Sequence, residues 1–104
     1  MEQKKLSEMT EQEIRHEIQG YKEKMRKAEM NGIYNEYDVY VSKTIVAESY
    51  LVDRDKVQLG RIYKLNDGSE GYFKVERLKG VFAWGYRINS NQPEEGLPLA
   101  LLQI

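Results

Sequence analysis

One histidine and no cysteine leave this 104-residue chain few groups suited to chemistry at neutral pH. His16 falls two residues after Ile14, about 200° around a helix, and so points to the polar face. Nothing nearby in the sequence would orient it as a general base. Without thiolates a zinc site lacks its preferred ligands. The adjacent carboxylates Glu94 and Glu95 sit beside Pro93 and Gly96, the composition of a solvated loop. Gly68 and Gly71 bracket a turn and do not have phosphate-loop spacing. The sequence therefore assigns no catalytic residue, no metal ligand and no cofactor, and enzyme activity is not expected.

Binding chemistry is better represented. The densest basic run, residues 22–27, is spread around a helix and diluted by acids, which reads as a solvated face. Lys64, Tyr72, Lys74 and Arg87 are the candidate ligand surface, because they combine cations with an exposed ring as single-strand binders do. Glu76 lies in the same row and weakens it. The run Phe82-Ala83-Trp84-Gly85-Tyr86-Arg87 also resembles a base-stacking platform. A two-residue loop at Lys79-Gly80 would pair Leu78 with Val81, Arg77 with Phe82, Val75 with Trp84 and Phe73 with Tyr86. That register gathers Phe73, Val75, Phe82, Trp84, Tyr86 and Ile88 on one face, and Tyr72, Lys74, Glu76, Ala83, Gly85 and Arg87 on the other. A slip by one would set Glu76 against Trp84 and Lys74 against Tyr86, mixing charge into the aromatic layer. The rings are therefore expected in the core, since so small a sheet is marginal without them. Ala83 and Gly85 would then permit close approach by the second helix or the chain terminus. Lys-Gly is not the preferred dipeptide for such a loop, which leaves room for a bulge.

The elements that must position these residues divide the chain in two. Thr10-Glu11-Gln12-Glu13 is a capping box, with Met9 and Ile14 placed for a hydrophobic staple. Ile14, Ile18, Tyr21, Met25 and Ala28 then recur at spacings of four and three, a narrow helical stripe. Acids gather at its start and cations at its end, matching the helix dipole. Asn31-Gly32 supplies a left-handed stop. A second helix is predicted over residues 34–52, with one stripe at Tyr37, Tyr40, Thr44, Ala47 and Leu51 and another at Tyr34, Val41, Ile45 and Val52. So wide a face implies two neighbours, the first helix and the second half of the chain. Beyond residues 53–56 the period becomes alternating. Strands are predicted at 61–65, 72–78, 81–88 and 98–102, with Pro98 at the start or edge of a closing strand. The predicted fold is α+β: an N-terminal antiparallel helical hairpin (1–54) packed on a C-terminal SH3-like small β-barrel (55–104), as one cooperative unit.

Composition narrows the function classes. Residues 1–52 carry eight Lys/Arg against ten Asp/Glu, and residues 53–104 carry eight against seven. The strongly basic balance of a general nucleic-acid binder is absent. No apolar run approaches the roughly 20 residues that span a bilayer, and the opening residues lack a signal-peptide core. A cytoplasmic location without membrane association is expected.

Lys27-Ala28-Glu29, Gly32, Asn35-Glu36, Tyr50-Leu51, Gly60, Tyr63, the run from Gly80 to Arg87, Glu94-Glu95, Leu97-Pro98 and Leu101-Leu102 form a pattern. It resembles that of the YfhH family of small uncharacterised proteins from Gram-positive bacteria. The resemblance covers nearly the whole chain. It implies a helical hairpin followed by an SH3-like barrel, carries a provisional label of transcriptional regulator, and brings no catalytic or ligand residue. The leading expectation is a regulatory adaptor acting through protein–protein contacts, with loops 66–71 and 89–96 as the rim. The alternative is a nucleic-acid-binding transcriptional regulator using the outer face of the central hairpin. A homodimer through the helical hairpin is a further expectation.

Overall fold

The computed structural model describes residues 4–104. They fall into two compact units that meet in sequence between Leu51 and Val52.

The first unit is a pair of packed helices, α1 (Glu11–Met30) and α2 (Tyr34–Ser49), preceded by a 3-10 turn at Leu6–Glu8. The capping box forms in full: the Glu13 amide donates to Thr10 Oγ1 at 3.2 Å, and the Thr10 amide donates to Glu13 Oε1 at 3.0 Å. Lys4 reaches the same carboxylate at 3.1 Å. Met9 packs against the cluster of Ile14, Ile18 and Ala47, completing the staple. Gly32, at φ +70°, ends α1. The Ile33 amide bonds back to the Ala28 carbonyl and the Gly32 amide to that of Glu29, the Schellman arrangement. The first stripe of α2 faces α1, with Thr44 and Ala47 buried and the Tyr21 and Tyr40 rings 6.2 Å apart. Tyr34, 70% exposed, lies outside any packed face. The helix stops at Ser49, short of the predicted 52, and Asp53 caps a 3-10 turn at Arg54–Lys56.

The second unit is a four-stranded antiparallel sheet in the order β1 (Ile62–Lys64), β2 (Tyr72–Lys79), β3 (Phe82–Arg87) and β4 (Glu95–Pro98). One face carries the core: Val57, Tyr63, Leu65, Phe73, Val75, Ala83, Leu97, Leu99 and Leu102. The chain is thus α+β. The closed barrel expected from the sequence is corrected to an open sheet, in which β1 and β4 do not pair as strands. The predicted strand at 98–102 is instead the end of β4 followed by a 3-10 turn at Leu99–Leu101. That turn brings the terminus back to β1 through an isolated Leu65–Leu102 bridge, with the Gln103 amide donating to Lys64 O and the Asn66 amide to Leu101 O. Pro98 closes an edge strand, where its missing N–H costs no ladder bond.

The larger correction concerns the central hairpin. Its two-residue loop is Gly80-Val81, so Lys79 pairs with Phe82, Leu78 with Ala83 and Arg77 with Trp84. Gly80 takes φ +59° at the first loop position, as a II′-type loop requires. The register then shifts between Val75 and Arg77, leaving Glu76 as an extra residue, and Val75 pairs with Gly85 and Lys74 with Tyr86. This bulge turns Phe73 and Val75 inward together with Leu78, although strict alternation would oppose them. Ala83 and Gly85 become the buried residues of β3. Phe82 and Trp84 are half-buried, and Tyr86 is 44% exposed. The aromatic run is an outer face, not the core. Part of the expectation for Ala83 holds, because the terminal Leu97, Leu99 and Leu102 pack in its cluster.

Candidate functional site

Residues directly opposite one another in an antiparallel pair share a face of the sheet. The outer face therefore follows from register alone. Lys64 lies opposite Tyr72, Ile62 opposite Lys74, Lys74 opposite Tyr86, Arg77 opposite Trp84 and Lys79 opposite Phe82. On the far side Trp84 meets Gly96 and Phe82 meets Pro98. Two parallel rows result. β3 carries the rings Phe82, Trp84 and Tyr86, and β2 carries the cations Lys74, Arg77 and Lys79. Tyr72 and Lys64 extend the pattern at the end near β1.

Local packing fixes the indole. A Cβ added at Gly96 would lie 2.7 Å from Trp84 Cε2, so the ring rests directly on the Gly96 backbone. The Arg77 guanidinium stands over the indole with its central carbon 5.2 Å from the ring centroid. The same guanidinium is held by Glu94 at 2.7 Å. Lys74 faces Glu76 at 3.7 Å. Among the described residues, Lys64 and Lys79 have no carboxylate within ion-pair distance.

Three of the four residues singled out from the sequence, Lys64, Tyr72 and Lys74, share this face. Arg87 does not. It pairs with Phe73, on the opposite parity, and its guanidinium is taken up by Asp67 at 3.5 Å and by Glu95. Arg87 joins the loops on either side of the sheet end and offers little charge to a ligand. The Asp67 carboxyl is itself lowered from its ordinary value, chiefly by the Ser69 hydroxyl, then by the Ser69 amide, with Arg87 adding to both. Phe82, Trp84 and Tyr86, expected in the core, line this face instead, with Arg77 and Lys79 paired beside them. The apolar spacing 73, 75, 78 was the available sign of a bulge, since it breaks the period of two.

His16 is exposed on α1. Among the described residues, no group of three or more His, Cys, Asp or Glu side chains is arranged to hold a metal ion. No helix among them is long and apolar enough to cross a membrane.

Residues 4–103 match the profile of a family described as "Protein of unknown function (DUF1811)". The chain belongs to this family. It is also 43% identical over 101 residues to "Uncharacterized protein YfhH" of Bacillus subtilis (strain 168), covering 97% of this chain and 96% of that protein. The DUF1811 match and the YfhH match both run through the helices and the sheet. The outer face thus lies within the region that defines the family.

Proposed function

We propose that this chain is a non-enzymatic, cytoplasmic binding module, regulatory in role, whose outer sheet face takes single-stranded nucleic acid. One observation carries the reading: a row of three rings on β3 runs beside a row of three cations on β2. Single-strand binders need a positive track for the backbone and π-faces for the bases; here Tyr86 is exposed and Phe82 and Trp84 are half-buried, one strand away from the cations. The overall charge of −1 does not oppose this, because binding responds to the charge facing the ligand. The 3-10 turn and the terminus returning to β1 through the Leu65–Leu102 bridge support reading the unit as an open relative of the small SH3-type barrels.

The test is titration of the full chain with a fluorescein-labelled, mixed-sequence single-stranded oligonucleotide, as DNA and as RNA, with Trp84 emission followed in parallel. Binding at low salt, quenching of Trp84 and a loss of about 1–3 kcal/mol in Tyr86→Ala are expected. Absence of affinity for either strand at low salt removes the proposal. A salt-insensitive complex with a proline-rich peptide, also quenching Trp84, would instead give the face to a protein partner.

A protein partner on loops 66–71 and 89–96 is the second reading. It is favoured by Arg87, which bridges Asp67 in one loop to Glu95 at the start of β4 and stiffens that end of the sheet.

A further inference from the structure

The Arg77–Trp84 stack has a third member. Glu94 precedes β4, and its carboxylate takes the guanidinium that stands over the indole. Arg77 is therefore not idle: its Nη2 donates to an acid, while its side chain stays 59% exposed. The indole has Gly96 packed against it and Arg77 standing over the ring. A base stacking where the guanidinium stands must displace Arg77.

A guanidinium binds a phosphate by the same two-pronged geometry with which it binds a carboxylate. Lys74, Arg77 and Lys79 share the outer face, Lys74 and Arg77 spanning the bulge at Glu76 and Arg77 and Lys79 two residues apart at roughly 6.6 Å, so they form a file of charges along β2. Two of the three are engaged by acids in the free protein, Lys74 by Glu76 and Arg77 by Glu94. The tighter of these pairs is the one attached to the tryptophan.

We propose that Glu94 is a built-in competitor for the backbone of a bound strand: a phosphate displaces its carboxylate from Arg77, and the guanidinium leaves the Trp84 ring to a base. The inference rests on the nucleic-acid reading and names the residue that sets the affinity of the same face. The chemistry is an exchange of one anion for another on the guanidinium, with no covalent step. Glu94 lies outside the stacking and cationic rows, so removing its charge deletes no contact that a strand would use.

The experiment is a thermodynamic cycle in the full chain, read with the labelled single-stranded DNA oligonucleotide at fixed salt. Glu94→Gln, which keeps size and removes charge, is expected to tighten binding about three- to tenfold, on the scale of an exposed ion pair plus the loss of one repulsive charge. In an Arg77→Lys background, which keeps a cation without the fork, the effect of Glu94→Gln should shrink to less than about twofold. Melting curves of each variant establish that all are folded. If the parent binds and Glu94→Gln leaves its affinity unchanged, the competitor role is wrong and the nucleic-acid reading stands. An equal gain in both backgrounds also overturns the exchange, because it would reflect bulk charge alone. If the parent binds no strand, both fall together.

Discussion

Gly85 has room for a hydrogen and nothing larger. A Cβ there would sit 1.8 Å from the Lys74 carbonyl oxygen, where the bulged β2 leans over β3. Backbone cannot yield as a flexible side chain can. Gly85→Ala is therefore expected to lose about 3 kcal/mol, the upper end of the overpacking range, in urea denaturation. Gly80→Ala meets no neighbour but must hold φ +59°, and should cost less, about 1–2 kcal/mol. Asp67 gives a second residue-scale prediction. Its carboxyl is lowered, so its contribution is complete above the ordinary Asp range near 3.9 and is lost as pH falls through the lower folded value. The Ser69 amide resonance should titrate with a midpoint below that range, and Asp67→Asn should abolish the step. A midpoint at the ordinary value would mean that Ser69 and Arg87 do not hold Asp67.

At the scale of elements, the start of α1 rests on two reciprocal hydrogen bonds and one staple. Thr10→Ala removes the Glu13 amide's acceptor and should lower stability by about 1 kcal/mol in the same assay. Thr10→Asp, which restores an acceptor, should recover most of the loss. The helices were legible because a cap and a 3.6-residue period are local signals, written within a few residues of what they control. The hairpin was legible only in part. Its strands and its turn region lay where alternation placed them, yet the face of β3 did not, because one bulged residue inverts parity beyond it. Phe73, Val75 and Leu78 carry that break in their spacing. A regular register could still be drawn through them that buried every ring.

At the scale of the whole molecule, a net charge of −1 coexists with a sheet face bearing Lys64, Lys74, Arg77 and Lys79 against Glu76 and Glu94. If three or four phosphates are neutralised there, the logarithm of the binding constant should fall with that of salt at a slope of about −2 to −3, near −0.7 per phosphate for single strands. A slope near zero would show that the cations do not face the ligand. Duplex of the same sequence should bind more weakly, since its bases are already stacked on one another and cannot reach Trp84 or Tyr86.

Sequence by itself determined the two helices, their caps and stop, the change of period near residue 53, and the sparseness of residues suited to catalysis. Those properties depend on neighbours within a turn or a hairpin. Only the tertiary structure decided which side of β3 meets the core. Phe73 and Val75 needed the small residues Ala83 and Gly85 opposite them, with Leu97, Leu99 and Leu102 closing over the same cluster from the far end of the chain. That long-range packing outweighed the full burial of Phe82, Trp84, Tyr86 and Ile88, and it turned Trp84 and Tyr86 from core residues into a surface.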